Sequence, residues 1–92
     1  MSFYAAELNR LALMVERLLD MELLSDAEGT RLLTETHAAC RLLEAGDTEA
    51  VRRHVEQVAR FTEALLADDA LVLKDGRAVV ETARQILTGD TD

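Results

Sequence analysis

The sequence predicts an all-α fold, a four-helix bundle made of two antiparallel helical hairpins, on three observations. Apolar residues make up 49% of the 92, yet they are mostly Leu, Val and Ala, and Phe3, Tyr4 and Phe61 are the aromatics. Leu and Ala favour helix, whereas a sheet draws more heavily on β-branched and aromatic side chains. Proline is absent, so nothing breaks a long helix. Four segments repeat apolar residues at three- and four-residue steps, with helix-cap chemistry between them. A chain of this length suits one domain, residues 1–92.

The first helix is expected from about Phe3 to Asp20, with Leu8, Leu11, Ala12, Val15, Leu18 and Leu19 as one buried stripe. Ser25-Asp26-Ala27-Glu28 then forms a capping box, in which the Ser hydroxyl and the Glu carboxylate satisfy each other's backbone N–H groups. The second helix follows to about Ala45, turning Leu32, Thr36, Ala39, Cys40 and Leu43 inward. Gly46 stops it and Asp47 starts the next helix at once. So short a connection makes the second and third helices pack nearly antiparallel. The third spans about Thr48 to Ala67, burying Val51, Val55, Val58, Thr62 and Leu65, and Asp68-Asp69 ends it. Asp75 is expected to cap the fourth, in which Val79, Val80, Ala83, Ile86 and Leu87 face inward before Gly89 stops it. Glu49–Arg53 and Glu56–Arg60 have the four-residue spacing of surface ion pairs.

The chain also echoes itself. Gly29-Thr30-Arg31-Leu32-Leu33-Thr34-Glu35-Thr36 resembles Gly76-Arg77-Ala78-Val79-Val80-Glu81-Thr82 with one residue removed. Arg41-Leu42-Leu43-Glu44-Ala45-Gly46-Asp47-Thr48 likewise resembles Gln85-Ile86-Leu87-Thr88-Gly89-Asp90-Thr91. The reading is two related hairpins, the second with a longer elbow at 68–74. Shared cap chemistry would produce the same echo.

Leu24-Ser25-Asp26 at a helix start, Gly46-Asp47-Thr48-Glu49-Ala50-Val51 between helices, Val55 and Val58, and Leu73-Lys74-Asp75-Gly76 together resemble the pattern of FIMAH-type modules. The similarity runs from Val15 to Leu87 and rests on caps and core positions, not on a catalytic signature. Such modules are small bacterial helical domains, usually appendages of larger extracellular proteins, and the resemblance implies an interaction role. The expected compartment differs. Met1-Ser2-Phe3-Tyr4-Ala5-Ala6-Glu7 lacks the basic start and apolar run of a secretion signal. No stretch approaches the ~18 apolar residues of a membrane span. With Cys40 alone, no internal disulfide forms, so a cytoplasmic protein is expected.

The formal net charge of −8 argues against nucleic acid and against an anionic membrane surface, since both need a basic stripe. No phosphate-cradling glycine loop, paired-Cys zinc motif or Glu-x-x-His pair is present. No enzyme and no cofactor are expected. His37, Cys40 and Glu44 share one side of the second helix and are metal-ligating types, but free Cys more often serves as a small core residue. No metal is expected there. Arg52, Arg53 and Arg60 have Glu49, Glu56 and Glu63 close by to neutralise them.

Two features exceed what a core needs. Leu11-Ala12-Leu13-Met14-Val15 is apolar beyond one stripe, leaving Phe3, Met14 and Met21 on a second strip and Leu13 nearly opposite the core. Ala70-Leu71-Val72-Leu73 is apolar in an elbow. The candidate partner-binding residues are therefore Phe3, Leu13, Met14, Met21, Leu71, Val72 and Leu73. The expected function is a non-enzymatic protein–protein interaction or oligomerisation module that binds itself as a homodimer or binds another protein. The alternative is a small-molecule- or metal-binding accessory protein with a pocket between the hairpins near His37, Cys40 and His54.

Overall fold

Each apolar stripe becomes one helix: α1 (Phe3–Asp20), α2 (Asp26–Glu44), α3 (Thr48–Ala67) and α4 (Leu73–Thr88). The computed structural model of the chain describes residues 3–68, 71 and 73–88, the side chains of Phe3, Tyr4 and Leu73 excepted. Asp69, Ala70, Val72 and the Gly89 stop lie outside the described residues. No strand occurs among those described. Each helix packs on the next in chain order and α4 closes back on α1, so the hairpins α1–α2 and α3–α4 form a four-helix bundle.

The core follows the stripes. Leu8, Leu11 and Val15 of α1 meet Leu32 and Ala39 of α2, Val51, Val55, Val58 and Ala59 of α3, and Val79, Ala83 and Ile86 of α4. Thr36 and Thr62 are also fully buried; their hydroxyls donate to the carbonyls of Leu32 and Val58, both at 2.7 Å, so neither leaves a polar group unpaired. Leu19, Cys40, Leu43, Val80 and Leu87 sit at stripe edges and are only partly buried.

Caps set the boundaries. Ser25 Oγ accepts from the Glu28 N–H at 3.2 Å, and Asp47 Oδ1 accepts from the Ala50 N–H at 3.1 Å. At the end of α2, Gly46 has φ +84°; its N–H donates to the Leu43 carbonyl and the Asp47 N–H to that of Leu42. The end of α1 repeats this with Glu22, whose φ is +59°. There the Glu22 N–H donates to the Leu19 carbonyl and the Leu23 N–H to that of Leu18. Both are Schellman closures, and only the first gives the left-handed position to glycine. The start of α4 differs from expectation. Helix begins at Leu73, and Asp75 lies within the first turn instead of capping it. An acid is favoured at both places by the same exposed N–H groups.

Around the elbows the echo keeps a constant offset, with no residue removed, although the paired helices differ in length. α1 ends at Asp20 and α3 at Ala67, while α2 starts at Asp26 and α4 at Leu73, each pair 47 positions apart. At that offset Leu8, Leu11, Val15, Leu18, Leu24, Leu32 and Ala39 correspond to Val55, Val58, Thr62, Leu65, Leu71, Val79 and Ile86, and every one is buried. The two elbows are thus equal, and the longer second elbow is corrected. Leu24 and Leu71 each turn inward from an elbow. Gly29 and Gly76 each lie beneath a leucine ten residues earlier, Leu19 and Leu66, and a Cβ on either glycine would overlap that side chain.

Val58 is fully buried and Arg60 is exposed two residues on. Val58→Asp is expected to cost about 4 kcal/mol or more and abolish a cooperative melt, whereas Arg60→Asp costs less than about 1 kcal/mol. Equal thermal melts for the two variants would contradict the core assignment. Glu22→Gly removes a side chain from a left-handed position and is expected to stabilise the fold by about 1 kcal/mol in urea unfolding.

Candidate functional site

Two halves on one frame allow each surface position to be compared with its counterpart. On the α3–α4 seam, Arg84 Nη2 donates to both carboxylate oxygens of Glu63 at 3.1 Å, and its Nη1 lies 3.5 Å from Glu56 Oε1. Arg60 Nε donates to Glu56 Oε2 at 3.0 Å. The Arg60 hydrogen bond, reinforced by Arg84, holds the Glu56 carboxyl below its ordinary range. Glu49–Arg53, the other expected pair, does not close.

The α1–α2 seam keeps one part of this arrangement. Glu16 stands for Glu63 and His37 for Arg84, with His37 Nε2 at 3.6 Å from Glu16 Oε2. Asn9, however, replaces Glu56, and Leu13 replaces Arg60. Leu13 is 63% exposed where its counterpart is a paired cation. Leu13 borders a hollow of about 540 Å³ with Asn9, Ala12, Glu16, His37 and Cys40.

The seams between hairpins differ in the same way. Between α2 and α3 the Arg31 guanidinium lies over the Phe61 ring, 4.5 Å from its centroid. The counterparts across α4 and α1 are Ala78 and Met14. A groove of about 310 Å³ opens there, lined among the described residues by Met14, Arg17, Leu18, Met21, Lys74, Asp75, Ala78 and Val79. It continues past Met14 and Arg17 onto the outer side of α1, along Ala6, Asn9, Arg10 and Leu13. Arg17 and Lys74 are exposed and make no ion pair among the described residues. Arg10 lies 3.7 Å from Glu7 Oε1, an oxygen that is buried without a hydrogen bond.

The expected partner residues are therefore divided. Leu13 and Met21, 63% and 57% exposed, are uncovered. Met14 is partly buried, and its Sδ accepts from Thr82 Oγ1 at 3.4 Å. Leu71 is only 7% exposed and belongs to the core, so the elbow is not an apolar surface at that residue. The side chains of Phe3 and Leu73, and all of Val72, lie outside the described residues. Arg17, Lys74 and Ala78 were not picked out from the sequence. Comparing the halves at the 47-residue offset finds them.

The polar residues gather only in part: His37 and Cys40 border one hollow with Glu16, and His54 stands apart from it. His37 faces Glu16 on α1, while His54 Nδ1 lies 2.6 Å from Glu35 Oε1 on the opposite seam. Cys40 and Glu44 border a hollow of about 100 Å³ with Ala5, Leu8, Asn9 and Leu43. Among the described residues no three His, Cys, Asp or Glu converge as metal ligands. None of their helices is long and apolar enough to cross a membrane.

Burial pushes the Cys40 thiol up; the Glu44 carboxylate adds to this and Arg41 opposes it. Less thiolate is then present at pH 8 than for an unperturbed thiol. Iodoacetamide labelling at that pH is expected to be slower in the native chain than in the urea-unfolded one, the gap narrowing as pH rises. Mass spectrometry of quenched samples measures both rates.

Compared with known proteins, no family model, curated protein or solved structure matches the chain.

Proposed function

We propose that this chain is a non-enzymatic protein–protein interaction module that buries the exposed edge of α1 on another protein chain. The observation that supports this most directly is Leu13, an exposed leucine where the matching hairpin carries Arg60 in an ion network. The seven paired core positions of the two hairpins agree in burial, and this departure lies outside them. Met21, nearly as open, lies just past the end of α1 on the side of α4. Removing such side chains from water contributes about 25 cal/mol per Å², a few kcal/mol in all before association costs. Met suits an adaptable contact because it is flexible and polarisable.

The partner is a second copy or a different protein. The resemblance to FIMAH-type modules points to the same interaction role. A net charge of −8 disfavours nucleic acid as that partner. The lone half-buried Cys40 fits a reducing compartment such as the cytoplasm.

Leu13→Glu with Met21→Glu tests this without touching the core, because both side chains are mostly exposed. The variant is expected to melt within about 1 kcal/mol of the native chain. It should lose whatever complex the native chain forms, read by light scattering for self-association and by quantitative retention from extracts of its source. A folded double variant that associates as the native chain does would overturn the reading.

A further inference from the structure

By the 47-residue correspondence the groove between α1 and α4 has a counterpart between α2 and α3, two consecutive helices that pack on each other more extensively. In the counterpart, Arg31 lies across Phe61 and covers the seam. In the groove, Ala78 and Met14 stand at those positions and leave about 310 Å³ open. The rims differ as well. Arg17 and Lys74 occupy the places held by Ala64 and Ala27 on the covered seam. Of the charged groups lining the groove and the adjoining face of α1, Arg10, Arg17 and Lys74 are cations and Asp75 is an anion; Arg10 already has Glu7 at 3.7 Å, which leaves Arg17 and Lys74 as the cations without an ion pair among the described residues. On a chain with net charge −8 this is a local reversal of sign.

From these observations we infer that the groove receives an acidic amphipathic helix of a different protein. The inference rests on the interaction reading above and narrows it to one occupant. The groove has walls on α1 and α4 from Met14 to Met21, and the open outer face of α1 carries on from it to Ala6; together they extend about 22 Å at 1.5 Å per residue, which a helix of four turns spans. Apolar side chains of that helix enter over Met14, Met21 and Ala78, and its flanking carboxylates meet Arg10, Arg17 and Lys74. A second copy fits less well. In a symmetric pair the same patch faces itself, so three cations would meet the same three cations.

The experiment uses two synthetic helical peptides of about sixteen residues with one apolar face, flanked by Glu in one and by Lys in the other. Binding to the full chain is read by anisotropy and by the methyl NMR signals of Met14 and Met21. The acidic peptide is expected to bind, move both methyl signals and weaken as salt rises; the basic peptide is expected not to bind. Arg17→Glu with Lys74→Glu should weaken the acidic peptide about tenfold or more. Met14→Phe with Ala78→Arg rebuilds the covered seam and should abolish binding although it adds a positive charge. A merely electrostatic attraction would strengthen instead.

Equal binding of both peptides, indifference to the rebuilt seam, or no binding of either would overturn the inference. So would methyl shifts that follow protein concentration alone, since the occupant would then be a second copy. If the peptides fail while Leu13→Glu with Met21→Glu still dissolves a native complex, the groove assignment falls and the interaction reading stands. If that double variant leaves every complex intact, the interaction reading falls too.

Discussion

The close approach of a leucine to a glycine near each elbow is the constraint on which this bundle depends. Leu19 lies over Gly29 and Leu66 over Gly76, and a Cβ at either site would have to displace that leucine side chain. Helix normally disfavours glycine by about 1 kcal/mol, so these positions give up propensity for proximity. With the second helix of each hairpin drawn against the first, Leu24 and Leu71 turn inward and close the elbow end of the core. The register of Leu32 on α2 and Val79 on α4 follows, because each is three residues past its glycine. The core layers are therefore spaced alike in both hairpins.

That shared spacing divides the surface into two kinds of position. Core positions must agree between hairpins, since each hairpin is packed against the other. Surface positions have no such obligation, and there the two hairpins differ. The α3–α4 seam spends its surface on Arg60, Arg84, Glu56 and Glu63, exposed groups whose mutual attraction in water is modest. The α1–α2 seam leaves Leu13 uncovered in the corresponding place. Arg31 on Phe61 and the open groove beside Met14 form a second contrast of the same kind.

Much of the fold is legible in the sequence because helix ends are written locally. Ser25 and Asp47 bind N–H groups only three residues away, and Gly46 relieves a strain at its own backbone. Glu22 was not legible, because its left-handed conformation is imposed by Leu18 and Leu23 closing the turn, against its own preference. Asp75 misled for a different reason: an acid one turn inside a helix looks the same as an acid capping it. Leu13 was legible, since only its position on the helix mattered. Leu71 was not, because the elbow's path is set by what it packs against. Nor was the groove, whose walls come from opposite ends of the chain and which has only the short side chain of Ala78 where its counterpart has Arg31.

The tight joint at Ala45-Gly46-Asp47 has a bearing on assembly fidelity. Two hairpins alike in core spacing are each a plausible mate for a hairpin of another molecule, the situation in which chains exchange halves. Exchange requires the joint to straighten into a hinge. Straightening would cost the Gly46 closure on α2 and the Asp47 cap on α3 together, since adjacent residues hold both. The joint is also at ease as it stands, because glycine carries its positive φ without strain. Two like hairpins are thus joined by two hydrogen-bonded turns placed back to back, both of which an exchange of halves would have to break.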